Sequence, residues 1–74
     1  MGLNTVPIGS RVRVTGVRLA GARSQRLMEM GLIEGAELQL IRRAPFGDPL
    51  QLRLGDYELS LRSSEAELID VVAA

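Results

Sequence analysis

Few side chains in this chain of 74 residues have the chemistry of catalysis. Histidine and cysteine are both absent, which removes the commonest general base, the thiolate nucleophile and the soft metal ligands. A carboxylate pair or a serine would have to act instead. Glu58 and Asp70 fall at solvent-facing positions of strand-like segments, and Ser63 and Ser64 lie in a turn. We interpret all four as surface groups, and we predict no catalytic residue, no cofactor and no enzymatic activity.

Metal binding would depend on carboxylates and carbonyls, which suit hard cations better than a dedicated ferrous site. Glu29, Glu34 and Glu37 are spread over the end of a predicted helix and a turn, and are not grouped at coordinating intervals. Met28 and Met30 are two residues apart, so they do not face each other on a helix. The sequence therefore predicts no metal site within one copy of the chain, while a metal held between copies by surface carboxylates stays open.

Arginines and acidic residues occur in equal number, nine of each, and lysine is absent. The formal net charge of zero provides no overall field to attract nucleic acid or an anionic membrane. Small barrels that bind RNA combine a basic groove with aromatic platforms, and Phe46 is the one plausible exposed ring. We expect the arginines to pair with Glu37, Glu58 and Asp70, and we keep a nucleic-acid-binding module only as an alternative. The arginines that could form a basic stripe on neighbouring strands are Arg42, Arg43, Arg53 and Arg62.

Met28 and Phe46 are apolar residues whose positions favour exposure. On a helical wheel of about 100° per residue, Leu27 and Met30 share one face and Met28 points away from it. Phe46 lies at a loop tip between two prolines. Exposed residues of this kind make adaptable apolar contacts at binding surfaces, whereas packing into the core is the alternative for each.

The elements that position these residues begin with a strand and a helix. Strict alternation over residues 11–14 predicts a half-buried strand in which Val12 and Val14 face the core. Gly16 interrupts the pattern, which indicates either a bulge or a close approach of another backbone segment. Residues 22–30 contain no glycine or proline, and their composition favours a helix.

Glycines and prolines mark the turns that follow the helix. Gly31 stands where a glycine with positive φ ends a helix, and Leu32 would fold back as the accompanying apolar contact. A glycine turn then leads into the second strand, and a loop bracketed by prolines ends that strand. The residues to which we assign structural roles are Gly31, Leu32, Gly35, Pro45, Gly47 and Pro49.

The remaining strands are predicted at residues 36–43, 50–54, 57–62 and 68–72. Ile41 breaks the alternation of the second strand, so there either both faces are covered or the strand bends. Gly55 and Asp56 form a two-residue hairpin signal. Residues 63–66 suit one helical turn capped by a serine.

A flat sheet of five such strands would expose one apolar face and two long edges, and closure into a barrel removes both problems. We therefore predict one mainly β domain over residues 1–74, an SH3-like small β-barrel of about five strands. One short α-helix is inserted after the first strand and covers an open end. No segment is apolar enough to span a bilayer, and the N-terminus lacks a secretory pattern. We expect a cytoplasmic protein without direct membrane insertion.

Three blocks of this sequence together resemble the FeoA family, small cytoplasmic proteins associated with bacterial ferrous iron uptake. The blocks are residues 26–35, residues 40–54, and residues 59–62 together with residues 65–69. The resemblance implies an SH3-like barrel and an accessory role beside the membrane ferrous iron permease, which has a cytoplasmic GTPase domain. Similar domains occur at the C-terminus of metal-responsive repressors of the DtxR type. The alternative interpretation is a stand-alone relative of that repressor domain. We favour it less, because 74 residues leave no room for a DNA-binding domain.

Our hypothesis from the sequence is a protein-interaction module that binds and modulates this permease. The surface we favour combines the helix, its exit and the Pro/Gly loop. Self-association through unpaired strand edges, giving a homo-oligomer, remains open. The predicted partner-binding residues are Arg23, Arg26, Met28, Phe46 and Asp48.

Overall fold

Alternating apolar residues build five short strands, and two brief helices interrupt them. The structure is a computed structural model that describes residues 1–74. The strands are β1 (Arg11–Val17), β2 (Glu37–Arg43), β3 (Leu50–Leu54), β4 (Tyr57–Leu61) and β5 (Ile69–Ala73). The helices are α1 (Ala22–Glu29) and α2 (Ser63–Ala66), and a 3-10 turn covers Leu3–Thr5. Neither α1 nor α2 has the length and hydropathy needed to cross a bilayer.

The strands curl into an SH3-like barrel, so the predicted fold class is confirmed. Their order in the sheet is β4-β3-β2-β1-β5, and every neighbouring pair is antiparallel. β4 and β5 are the two outer strands, and α2 connects them. The helix α1 is inserted between β1 and β2, as expected from the sequence.

Two irregularities in strand pairing help this small sheet to curl. The β1–β5 register shifts between Val14 and Gly16, which confirms the predicted bulge. The β2–β3 register shifts between Leu40 and Arg42, so the strand bends at Ile41, where the alternation of the sequence breaks. A bulge adds one residue to one strand of a pair and increases the local twist. Both shifts therefore favour a closed barrel over a flat sheet.

The core is apolar throughout, with sixteen buried residues and no buried polar or charged side chain. The N-terminal segment contributes more to it than the sequence predicts, because Leu3 and Val6 are at most 1% exposed. The Val71 N–H donates to the Met1 carbonyl at 2.8 Å, which holds this segment against β5. Burial of a leucine or valine stabilises a fold by roughly 1.5–3 kcal/mol. The N-terminal segment is thus a structural part of the barrel.

The helix α1 ends in a Schellman motif, one residue before the predicted end. The Leu32 N–H donates to the Leu27 carbonyl at 3.0 Å, and the Gly31 N–H donates to the Met28 carbonyl at 2.9 Å. Gly31 has φ +103°, a region that residues with a Cβ rarely adopt. Leu27 and Leu32 are both buried, which provides the apolar contact that accompanies this motif.

The predicted serine cap of α2 is wrong. The N-cap residue is Arg62, and carboxylates accept the hydrogen bonds of the helix start. Glu65 Oε1 accepts from the Arg62 N–H at 2.9 Å, and Asp48 Oδ1 accepts from the Ser63 N–H at 2.7 Å. Ionised acceptors form stronger bonds to these free backbone donors than a hydroxyl does, and their negative charge suits a helix N-terminus.

Candidate partner-binding surface

An apolar groove lies beside α1 and holds about 360 Å³ of space. Five of its seven lining residues are hydrophobic. Two of them are large and strongly exposed, Met28 at 55% and Ile33 at 49%. A contiguous exposed apolar patch on a small domain is typical of a binding site. The residues that line the groove are Val17, Leu19, Ser24, Met28, Leu32, Ile33 and Glu34.

Three segments of the chain bring these residues together. Ser24 and Met28 are four residues apart on α1, so they lie on the same face of the helix. The Schellman motif then buries Leu32 beneath α1 and leaves the next residue, Ile33, exposed. The end of β1 and the loop after it supply the opposite wall. The position of the glycine that ends α1 therefore decides which side chains the groove presents.

Arg23, predicted to bind a partner, connects α1 to α2 and β4. Its Nε donates to Glu65 Oε2 at 2.8 Å, and its Nη2 donates to the Ser60 carbonyl at 3.0 Å. Partial burial acts to raise the pKa of Glu65, but hydrogen bonds from Arg23 and the Arg62 N–H outweigh it and hold the pKa below its usual value. Arg23 thus positions α1 on the barrel.

Asp48, another predicted partner-binding residue, ties the β2–β3 loop to α2. In addition to capping Ser63, its Oδ2 lies 3.0 Å from Arg62 Nη2. Arg23 and Asp48 are therefore brought together at α2, although they are distant in sequence. We call this set the α2 junction: Arg23, Asp48, Arg62, Ser63 and Glu65.

The residues with predicted structural roles lie in the turns on either side of β2. The Gly35 N–H donates to the Val14 carbonyl at 2.7 Å, which joins the turn after α1 to β1. In the β2–β3 loop, the Gly47 N–H donates to the Ala44 carbonyl at 2.7 Å. The Ala44 N–H in turn donates to the Pro49 carbonyl at 3.0 Å. These bonds hold Pro45 and its neighbours in a defined loop.

Phe46 and Arg26 are the predicted site residues whose side chains are exposed and form no hydrogen bond or ion pair. Phe46 is 100% exposed at the tip of the β2–β3 loop. Arg26 is exposed in the last turn of α1, and forms no ion pair or side-chain hydrogen bond. Neither lines the groove. The five predicted residues thus fall into the groove (Met28), the α2 junction (Arg23 and Asp48) and two separate exposed positions.

The four arginines of the predicted basic stripe, Arg42, Arg43, Arg53 and Arg62, each contact a local partner. Arg53 pairs with Glu58 at 3.0 Å, as expected. Asp70 pairs with Arg18 at 3.0 Å, and the hydrogen bond from Arg18 holds the pKa of Asp70 below its usual value. Arg42 donates to Gln51, and Arg43 donates to the carbonyls of the N-terminal segment. The basic stripe is therefore interrupted. No group of three or more acidic side chains is placed to hold a metal ion.

Comparison with known proteins identifies the family. The sequence profile of the FeoA domain matches residues 1–73. The chain belongs to the FeoA family. It is 32% identical over 71 residues to an Fe(2+) transport protein A/Fe(2+) transporter FeoB fusion protein of Porphyromonas gingivalis. This alignment covers 96% of the chain and 8% of that relative, so the chain spans a small part of its length.

Solved FeoA structures share this fold. The FeoA protein of Chlorobium tepidum is 40% identical with a TM-score of 0.94, over 99% of this chain and 70% of that one. The zinc complex of Stenotrophomonas maltophilia FeoA, described as a procaryotic SH3 domain protein, is 30% identical with a TM-score of 0.81. That match covers 97% of this chain and 89% of the other. Both comparisons agree with the barrel described above.

The groove contains five residues that the sequence analysis did not predict as partner-binding or structural residues: Val17, Leu19, Ser24, Ile33 and Glu34. The exposure of Ile33 could have been predicted, because two large apolar residues directly after a helix-ending glycine cannot both fold under the helix. Val17 and Leu19 continue the alternation of β1 into a loop, where one wall of a groove cannot be distinguished from core. Glu34, at the rim, carried no signal beyond its charge.

Proposed function

We propose that this FeoA-family chain is a non-enzymatic binding module, residues 1–74, that acts in the cytoplasm on the membrane ferrous iron permease. The observation that carries the proposal is the Porphyromonas gingivalis relative, in which Fe(2+) transport protein A is fused to the FeoB transporter. Two proteins joined in one chain meet at a high effective concentration, which favours a direct contact between them.

The groove beside α1 is the part of the surface that suits such a contact best. Met28 and Ile33 are each about half exposed, and together they offer apolar area that a partner can remove from water. Completing the burial of two such side chains would contribute roughly 1–3 kcal/mol, which is enough for a small hot spot. We infer that an apolar segment of the permease inserts here, and that Arg26 borders the contact.

Arg23 and Asp48 have a different role in this proposal. Their side chains are already engaged at the α2 junction, so a partner could reach them only by breaking intramolecular bonds. We infer that they position α1 and the β2–β3 loop relative to each other. Phe46, fully exposed on that loop, would form a second contact if the partner extends so far.

Met28→Glu tests the groove directly. A carboxylate placed in an apolar contact has to be desolvated, so binding to the cytoplasmic part of the permease should weaken by at least about tenfold. The matched control is Gln25→Glu, which adds the same charge to an exposed position of α1 outside the groove. Affinities would be measured by isothermal titration calorimetry, with circular dichroism to verify folding. Equal affinity of the two folded variants would exclude the groove as the binding surface.

A further inference from the structure

A second depression, of about 250 Å³, lies on the outer face of the sheet and shares no residue with the groove. It crosses β1, β2 and β3, and it reaches the β3–β4 hairpin at Gly55. Its main polar residues are Arg11, Gln39 and Arg53. The binding role proposed for the groove does not use this region.

Strand register places these three side chains in one row. Arg11 is the partner of Gln39 across β1–β2, and Gln39 is the partner of Arg53 across β2–β3. Residues paired in this way point to the same face of the sheet. Neighbouring strands are about 4.8 Å apart, so the Cα atoms of the two arginines are about 10 Å apart, with the glutamine between them. Two long guanidinium side chains can therefore converge above the amide.

The donors of this row are only partly occupied. Arg11 forms no ion pair and no side-chain hydrogen bond in the structure. Arg53 uses Nη2 to contact one oxygen of Glu58 at 3.0 Å, which leaves most of its five N–H donors available. Gln39 Nε2 donates to the Gly9 carbonyl at 3.3 Å, which orients the amide.

The local charge around the depression is positive, although the chain as a whole is neutral. Glu37 lines one side, but Arg13 lies 3.6 Å from it and offsets its charge. Glu58 is offset in the same way by Arg53. Among the arginines around the depression, Arg11 is then the one without an acidic partner. An anion entering the row would meet that uncompensated charge and additional donors from Arg53.

We propose that the row of Arg11, Gln39 and Arg53 binds a phosphate group. A tetrahedral phosphate has oxygens on several sides and can accept from both guanidiniums, which match phosphate geometry well. A carboxylate has two oxygens in one plane and would engage one arginine at a time. The nearby Glu37 carboxylate repels an anion, so binding of free phosphate should be weak. The group could belong to a soluble phosphate ester or to a phospholipid headgroup.

Nuclear magnetic resonance of the intact chain tests this site. Titration of the 15N-labelled protein with inorganic phosphate should shift the amide signals of Arg11, Gln39, Arg53 and Gly55 in a saturable manner. Sodium chloride at matched ionic strength should not reproduce those shifts. Arg11→Gln and Arg53→Gln should each raise the half-saturation concentration by at least about fivefold, because each removes a charge-assisted donor. Arg26→Gln, which neutralises an exposed arginine of α1, should titrate like the wild type.

Vesicle flotation separates the two sources of phosphate. Flotation with phosphatidylglycerol vesicles, but not with phosphatidylcholine vesicles, that is lost in Arg11→Gln and Arg53→Gln would assign the site to a lipid headgroup. Phosphate-dependent shifts without flotation would assign it to a soluble phosphate ester. If sodium chloride reproduces the shifts, or if neither arginine variant alters phosphate or vesicle binding, the proposal is wrong. These outcomes are independent of permease binding.

Discussion

The groove beside α1 and the α2 junction lie on neighbouring elements but use their side chains in opposite ways. At the junction, charged groups pair with each other and with backbone donors, so that α1, the β2–β3 loop and α2 are held together. In the groove, Met28 and Ile33 are large and apolar, and about half of each side chain is exposed to solvent.

On this small barrel, intramolecular hydrogen bonds distinguish a positioning residue from a binding residue. Exposure and charge alone suggest that Arg23 and Asp48 bind a partner, because both look like surface residues in the sequence. Their hydrogen bonds show that their donors and acceptors already serve the fold. The side chains of Met28 and Ile33 form no such bonds and remain about half exposed. Four predictions, from the largest expected effect to the smallest, challenge or refine this distinction.

Gly31→Val should have the largest effect, because the groove depends on the turn that ends α1. A Cβ at this position would have ordinary space, with Leu54 Cδ2 at 3.8 Å, so the cost comes from φ +103°. A β-branched residue in this region should lower the free energy of unfolding by roughly 2 kcal/mol, which corresponds to a fall in Tm of about 8–16 °C. Thermal unfolding followed by circular dichroism measures it.

The matched control for this change is Ala20→Val. Ala20 is exposed in the loop before α1 and does not have positive φ, so its replacement should leave Tm nearly unchanged. If Gly31→Val unfolds at the wild-type temperature, the turn does not depend on glycine. The groove could then not be attributed to the end of α1.

Asp48→Ala should have the next largest effect, and it should act on stability alone. The change removes the acceptor for the Ser63 N–H and the partner of Arg62, so the free energy of unfolding should fall by about 1–2 kcal/mol. Urea unfolding measures this loss, and Asp56→Ala in the exposed β3–β4 turn is the control. If a folded Asp48→Ala variant binds the permease as weakly as Met28→Glu does, Asp48 is part of the binding surface and this prediction is wrong.

Replacing Glu65 should have a smaller effect, which appears in the pH dependence of the free energy of unfolding. Its pKa is lower in the folded chain than the usual value of 4.5, despite partial burial, because of the bonds from Arg23 and Arg62. A carboxyl whose pKa is lowered by folding stabilises the fold above the unfolded pKa, and this stabilisation is lost as the pH falls through the folded pKa. Glu65→Gln should therefore reduce the loss of stability between neutral pH and pH values below about 4.

Urea unfolding of both proteins across this range checks the expectation. Glu67→Gln is the control, because Glu67 is exposed and its carboxylate forms no ion pair. If Glu65→Gln and the wild type lose stability in parallel on acidification, the ion pair with Arg23 does not hold the α2 junction together.

How much of this molecule can be read from the sequence depends on the range of the interaction. The alternation of β1 and β3, the hairpin at Gly55 and the end of α1 at Gly31 are local patterns, and they correctly predict the corresponding elements. The burial of Leu3 could not be predicted in this way. It depends on contact between the two ends of the chain, which meet where Gly2 bridges to Asp70.

The candidate site is predictable only in part for the same reason. The helical wheel correctly places Met28 outside the core, since the period of a helix is a local property. The role of Asp48 was not predicted, because its carboxylate accepts a hydrogen bond from Ser63 in α2, fifteen residues further along the chain. The proposed phosphate-binding row depends on the register of three strands, and the pattern of any one strand does not determine how it pairs with its neighbours.

Phe46→Ser should have the smallest effect on stability and is the most informative for the extent of the binding surface. The ring is fully exposed and buries nothing, so the free energy of unfolding should change by less than about 0.5 kcal/mol. Any loss of permease affinity can then be attributed to a lost contact, because an exposed aromatic residue is a common anchor at interfaces. Ile8→Ser, at another exposed apolar position, is the control for a general loss of hydrophobicity.

Isothermal titration calorimetry with the cytoplasmic part of the permease distinguishes two outcomes. Weaker binding of Phe46→Ser alone would extend the surface from the groove to the β2–β3 loop, whereas unchanged binding would confine the contact to α1 and remove Phe46 from the partner-binding residues.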